Sequence, residues 1–66
     1  MYNKGFSFKV TKNGIIGIIK DLSTTGISSQ IYAVDFYENG KYYYSADVFE
    51  ETITNNLKYG YYEAIA

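Results

Sequence analysis

The sequence predicts a small all-β domain: a barrel of about five antiparallel strands with one short helical turn, formed by residues 1–66 as a single unit. Three observations support this prediction. Residues 6–12 alternate strictly between apolar and polar side chains, which is the period of a half-buried strand. Asn-Gly pairs at 13–14 and 39–40 are typical of tight turns between strands. Residues that favour strands are abundant, including eight Ile and nine Tyr, whereas Ala is scarce.

The first two predicted strands flank the first Asn-Gly turn and cover residues 6–12 and 15–22. The side chains expected to face the core from the first strand are Phe6, Phe8 and Val10. Gly17 interrupts the second strand, and an isolated Gly in a strand indicates a bulge or a close approach of another segment. A bulge would also explain why the four Ile residues around Gly17 do not alternate.

A polar, Gly-containing loop is predicted at residues 23–30, followed by a third strand at 31–37. The side chains expected to face inward from this strand are Tyr32, Val34 and Phe36. The second Asn-Gly turn then leads into a fourth strand at 41–45, which contains three consecutive Tyr residues.

The segment after the fourth strand allows two interpretations, of which the all-β one is preferred. In it, Ser45 caps a single helical turn at about 46–50, and a further strand follows at 51–54. Asn55-Asn56 is then a turn, and the final strand covers residues 59–65. The preference depends on residues 52–56, TITNN, which are poor helix formers.

In the alternative interpretation the fold is α+β, an antiparallel sheet with a helix at about 46–58. Phe49, Ile53 and Leu57 recur at four-residue spacing, which places them on one face of a helix. Gly60 follows the last of these residues and would end the helix as a C-terminal cap.

Four segments of the chain also occur in an order that is typical of a known type of small β domain. These are GIIGII at 14–19, YAVDF at 32–36, the tight turn at 39–40, and the aromatic strand that runs into VFEE at 48–51. Over residues 5–54 this order resembles the SH3-like β-barrels of the KOW and Tudor types, as in small phage or prophage proteins of low-GC bacteria. The resemblance implies a fold and no single function, because this fold serves peptide binding, methyl-lysine recognition, nucleic-acid binding and enzyme inhibition.

The composition argues against catalysis and against metal or cofactor binding. The chain contains no Cys and no His, which excludes disulfides, zinc fingers and the usual acid–base and thiol catalysts. Two carboxylate groupings, Asp35 with Glu38 and Asp47 with Glu50 and Glu51, are interpreted as solvated surface charges or as acids at the start of a helix. The sequence therefore predicts no enzyme, no cofactor and no metal site.

The charge balance makes nucleic acid a less favoured partner. Six Lys and no Arg stand against seven acidic residues, for a net charge of −1, whereas nucleic-acid-binding domains usually carry a basic patch. No apolar run is long enough to span a bilayer. The first five residues lead into an alternating segment, so neither a signal peptide nor a membrane partner is predicted, and the expected location is the bacterial cytoplasm.

The surplus of tyrosine is the main functional indication. Nine Tyr and seventeen Phe, Ile, Val and Leu residues exceed what so small a core can hold. Exposed Tyr offers a large contact area at a low cost in conformational entropy. The residues assigned to a protein-binding surface are Tyr37, Tyr42, Tyr44, Tyr59 and Tyr61. The alternative is that cross-strand Tyr pairs only stabilise the sheet.

These observations together favour a non-catalytic protein-binding module. In its most specific form it is a small phage or mobile-element protein that binds, and modulates or inhibits, a host or defence protein. The first alternative is a nucleic-acid-binding accessory barrel. The second is a structural homo-oligomer that associates through an edge strand, with residues 60–65 as the candidate edge.

Overall fold

In a computed structural model, which describes residues 2–25 and 30–65, the chain forms one antiparallel sheet and one helix. The elements are β1 (Ser7–Val10), β2 (Ile16–Thr25), β3 (Gln30–Glu38), β4 (Lys41–Phe49), α1 (Glu50–Tyr59) and β5 (Tyr62–Ile65). The order across the sheet is β4-β3-β2-β1-β5, so four strands form a meander and the fifth returns to pair with β1. The prediction of a small, β-dominated fold with five antiparallel strands is confirmed.

The sheet is not closed into the predicted barrel. In the described part of the chain, β4 pairs only with β3 and β5 pairs only with β1, which leaves both as edge strands. A barrel would require β4 and β5 to hydrogen-bond to each other. Instead, the ten-residue helix α1 carries the chain from one edge of the sheet to the other.

The core lies between α1 and one face of the sheet, here called the helix face. It consists of six buried side chains, Phe8, Ile19, Tyr32, Val34, Phe36 and Ile53. The predicted inward face of β3 is confirmed, because Tyr32, Val34 and Phe36 are all buried. That of the first strand is confirmed as well, because Phe8 is buried and Phe6 and Val10 are partly buried and pack against this cluster. The other side of the sheet, the open face, has no second layer in the described residues.

The segment after Ser45 shows which of the two interpretations holds. β4 continues to Phe49 in place of the predicted turn at 46–50, and α1, which begins at Glu50 rather than at about 46, replaces the predicted strand at 51–54. The predicted turn and the predicted strand were wrong. The four-residue spacing decided the outcome, because Ile53 is completely buried and Leu57 packs on the core. Burial of this apolar stripe outweighs the weak helix propensity of the intervening Thr and Asn residues.

The ends of α1 follow general helix rules only in part. Phe49 occupies the N-cap position and makes no side-chain capping hydrogen bond, whereas Ser45, the predicted cap, lies within β4. The acidic first turn, with Glu50 and Glu51, complements the positive end of the helix dipole. Gly60 ends the helix in the left-handed conformation with φ 84°, as the helical alternative predicted.

Of the predicted turns and irregularities of the meander, the second Asn-Gly turn is present, whereas the bulge predicted at Gly17 is not. Asn39 and Gly40 both have positive φ, 52° and 80°, as a two-residue hairpin turn requires. In β2 the register shifts fall at Lys20 and Ser23, while Gly17 pairs regularly. β2 extends to Thr25, so the predicted loop at 23–30 is shorter, and its centre at 26–29 lies outside the described residues.

Candidate protein-binding surface

Exposed apolar side chains concentrate on the edge strand β4. Of the eight large apolar side chains that are exposed among the described residues, four lie on this strand. They form what we call the β4 surface: Tyr42, Tyr43, Tyr44 and Phe49, with 60%, 57%, 45% and 51% of their area exposed. β4 is nine residues long and the opposite edge strand, β5, only four. The outer backbone groups of such an edge are available for pairing with another strand.

A bulge distributes the three tyrosines over both sides of the sheet. Tyr42 lies opposite Tyr37 and Tyr44 lies opposite Phe36, which leaves Tyr43 as the extra residue. Because successive residues of β3 point to opposite faces, Tyr42 projects on the open face and Tyr44 on the helix face. A partner that reaches this edge would therefore meet aromatic rings above and below the strand.

On the helix face, the ring of Tyr44 continues an aromatic row that begins in the core. Tyr44 stacks on Phe36 with 4.8 Å between ring centroids, and Phe36 meets Phe8 edge to face at 6.1 Å. Phe8 in turn stacks on Tyr62 of β5 at 4.3 Å, and Tyr43 packs edge to face on Tyr44 at 5.0 Å. The ring of Tyr44, at the exposed end of this row, is therefore held in place by the buried rings of Phe36 and Phe8.

On the open face, a chain of polar contacts holds the ring of Tyr42. Its hydroxyl lies 2.8 Å from Ser45 Oγ, and the Ser45 hydroxyl donates to Asp35 Oδ1 at 2.5 Å. Asp35 also lies 3.8 Å from Lys20 Nζ. Tyr42 packs edge to face on Tyr37 at 6.0 Å, and Tyr37 is half-buried. The rings of Tyr44 on the helix face and Tyr42 on the open face are therefore both held in place before any partner binds.

Tyr59 and Tyr61 lie elsewhere, at the junction of α1 and β5 on the far edge of the sheet. Both side chains are exposed, and Lys58 Nζ lies 5.7 Å from the ring centroid of Tyr59. Thr11 anchors the backbone there, because its N–H donates to the carbonyl oxygen of Tyr61 at 3.0 Å. The structure therefore brings together Tyr37, Tyr42 and Tyr44 on one hairpin, and places Tyr59 and Tyr61 apart from them.

Two members of the β4 surface were not predicted from the sequence. Tyr43 lies outside the predicted set, because strict alternation places it on the opposite face of the strand from Tyr42 and Tyr44. Phe49 was assigned to a helical segment, whereas it ends β4 opposite Ile31. The signal for Tyr43 was the run itself; no local pattern identifies Phe49 as part of an edge strand.

The buried hydroxyl of Tyr32 belongs to the fold rather than to the β4 surface. It donates to Glu50 Oε1 at 2.7 Å and accepts the backbone N–H of Tyr2 at 2.9 Å, which ties β3 to α1 and to the N-terminal segment. Burial, and next the hydrogen bond to Glu50, raise the pKa of Tyr32 above its ordinary value. Within residues 2–25 and 30–65, no group of three or more carboxylates is placed to hold a metal ion.

No protein-family model matches the chain, and neither a curated protein nor a solved structure matches it. The resemblance to SH3-like barrels therefore remains an interpretation of the sequence pattern. In the part of the chain that the structure describes, α1 is too short to cross a membrane.

Proposed function

We propose that this chain is a non-catalytic protein-binding domain that contacts another protein through the β4 surface. The observation that carries the proposal is that half of the exposed large apolar side chains in the described residues lie on one edge strand. Solvent-exposed aromatic rings that are already held in position lose little entropy on binding. The outer backbone of β4 adds hydrogen-bonding groups that a partner strand can pair with.

Charge distribution supports a protein partner over nucleic acid. Lys9 Nζ lies 3.7 Å from Glu63 and Lys20 Nζ lies 3.8 Å from Asp35, so two of the six Lys charges are balanced by neighbouring carboxylates on the sheet. Binding to nucleic acid depends on uncompensated positive charge that neutralises phosphates. The strand that carries the β4 surface has a single Lys, Lys41, at its first position.

The most specific form of the proposal is a small phage or mobile-element protein that modulates or inhibits a host or defence protein in the bacterial cytoplasm. It is supported by the pattern resemblance to SH3-like barrels. It is also supported by composition, since Ile, Lys, Asn and Tyr, all with AT-rich codons, make up 28 of the 66 residues.

The proposal is tested by affinity capture from a lysate of the source organism, with and without nuclease. The variant is Tyr42→Ser/Tyr44→Ser, and the control is Tyr59→Ser/Tyr61→Ser, which removes two exposed rings at the far edge. We expect one stoichiometric protein with the wild type and the control, and its loss with the variant. Retention that disappears on nuclease treatment would instead support the nucleic-acid alternative.

A further inference from the structure

We propose that a second copy of this chain occupies the β4 surface. The two β4 strands pair antiparallel about a two-fold axis at Ala46, and the two five-stranded sheets join into one of ten strands. This inference rests on the proposed function, because the second copy occupies the same surface when no other protein is bound to it. The arguments for it concern the edge, the register of the paired strands and the charges at their ends.

The β4 edge carries few of the features that usually protect an edge strand from pairing. Seven of its nine residues are exposed, it contains no Pro, and its charged residues are Lys41 at the first position and Asp47. The bulge at Tyr43 is confined to the first part of the strand, so residues 44–49 are regular. A long edge that is regular over these residues and carries exposed aromatic side chains is a template for another strand. β5 offers only four residues, one of them Glu63 in an ion pair with Lys9.

A two-fold axis at Ala46 places compatible side chains opposite one another. The axis is perpendicular to the sheet, so the helix faces of both copies lie on the same side. Tyr44 then lies opposite the partner's Val48 on that face, and Ser45 lies opposite the partner's Asp47 on the open face. The first is an aromatic–β-branched pair, which is favourable across strands, and the second places an uncharged residue opposite the carboxylate.

The neighbouring two-fold registers are less favourable. An axis at Asp47 would place two carboxylates directly opposite each other, which destabilises a strand pair. An axis at Ser45 would pair Tyr44 with the partner's Ala46, which offers the ring little contact area. Within the regular part of the strand, residues 44–49, only the register about Ala46 places large apolar residues opposite each other and keeps like charges apart.

Charges at the ends of the strand favour the same arrangement. Lys41 opens β4, and Glu50 and Glu51 follow its last residue. Antiparallel pairing about Ala46 brings the Lys41 end of each β4 beside the acidic first turn of the partner's α1, which carries Glu50 and Glu51, and the contact occurs twice because of the symmetry. Lys41 and Glu51 are exposed in the single chain and free to adjust. A net charge of −1 per copy adds little repulsion between the two.

The open face is a poorer site for a second copy. Its apolar residues Ile16, Ile18 and Ile31 are already half-buried within the sheet. The ion pair between Lys20 and Asp35 also lies on this face. Covering it with another sheet would remove both charges from water, at a cost that their mutual attraction does not reliably offset. The β4 edge requires no such burial.

Cross-linking tests the register directly, because the chain has no Cys of its own. In Ala46→Cys the two thiols would face each other, with Cβ atoms roughly 5 Å apart, whereas in Asp47→Cys they would be diagonal and about 7 Å apart. Disulfides form at Cβ separations of about 4 Å. We expect Ala46→Cys to oxidise to a covalent dimer on the order of tenfold faster than Asp47→Cys, although Asp47 is the more exposed position. Equal rates would overturn the register.

Sedimentation velocity tests the dimer itself with the unmodified chain. We expect a mass that rises from monomer to dimer across the micromolar range. Lys41→Glu and Glu51→Lys should each weaken dimerisation several-fold, and the double variant should restore it, with circular dichroism confirming folding. A monomer throughout overturns the inference, while loss of captured protein in Tyr42→Ser/Tyr44→Ser would still support the proposed function. A dimer insensitive to both charge reversals also overturns the inference.

Discussion

The distal edge of the Phe8 ring occupies the space that a Cβ atom would need on Gly17, the residue opposite it in β2. Phe8 is completely buried and is held by Tyr62 on one side and Phe36 on the other. Gly17→Ala should therefore displace a ring that has no free space, and we expect a loss of about 1–3 kcal/mol in the free energy of unfolding. Urea unfolding measures this loss.

The companion experiment is a double-mutant cycle with Phe8→Leu. The shorter side chain does not reach over Gly17, so the cost of Gly17→Ala should shrink in that background. An unchanged cost would mean that the Ala residue acts through the backbone of β2 rather than through the ring.

Ile53→Ala should be the most damaging single truncation in α1. Ile53 is the helix residue that is fully buried, and removing a buried Ile side chain to Ala costs roughly 2–5 kcal/mol. In a domain of this size such a loss approaches the total stability. Thr52→Ala, at an exposed neighbouring position, is the matched control and should leave the urea midpoint nearly unchanged or slightly higher. Similar effects at both positions would contradict the packing of α1 on the sheet.

The elevated pKa of Tyr32 predicts a specific loss of stability in alkali. The fold favours the neutral phenol, so its contribution is complete below the ordinary pKa of 10.0 and is lost as the pH rises through the higher pKa of the folded state. Tyr32→Phe removes the titrating group together with the hydrogen bond to Glu50. We expect the variant to be less stable at neutral pH by about 1–2 kcal/mol, and to lose less additional stability above pH 10 than the wild type.

Thermal unfolding followed by circular dichroism at a series of pH values measures that difference. Tyr59→Phe, which changes an exposed tyrosine, serves as the control and should follow the wild-type pH dependence. Parallel curves for Tyr32→Phe and the wild type above pH 10 would contradict the assignment.

Ser45→Ala should loosen one flank of the β4 surface without unfolding the chain. It removes the hydroxyl that bridges Tyr42 and Asp35, while Asp35 keeps its contact with Lys20. We expect a loss of about 0.5–1.5 kcal/mol and faster motion of the Tyr42 ring in NMR relaxation measurements. Ser23→Ala, at an exposed position in β2, should change neither quantity.

The features that could be predicted from the sequence depend on local patterns. Alternation correctly identified the inward faces of β1 and β3, and the Asn39-Gly40 pair correctly identified the β3–β4 hairpin. The helix was harder because two local rules disagreed: TITNN disfavours a helix, while the spacing of Ile53 and Leu57 favours one. Packing against the core decided between them, and that packing exists only in the assembled fold.

Which strands lie at the edges of the sheet, and whether the sheet closes into a barrel, could not be predicted in the same way. Whether β4 pairs with β5 depends on the path of α1 across the sheet, and no local sequence pattern indicates that path. The candidate site shares this limit, because Tyr42 and Tyr44 lie on one hairpin while Tyr59 and Tyr61 lie at the far edge. Surplus tyrosine predicted exposed rings, and the topology determined which of them are neighbours.

The pairing of β1 with β5 has a consequence for the order in which the chain folds. Ser7 lies opposite Ile65, so this pairing joins segments from nearly opposite ends of the described chain. The other strand pairs link consecutive segments, and contacts between residues close in sequence form fastest. We therefore expect the meander to assemble first and the docking of β5 to limit the folding rate. Until β5 arrives, Phe8 lacks the ring of Tyr62 that stacks on it in the native state.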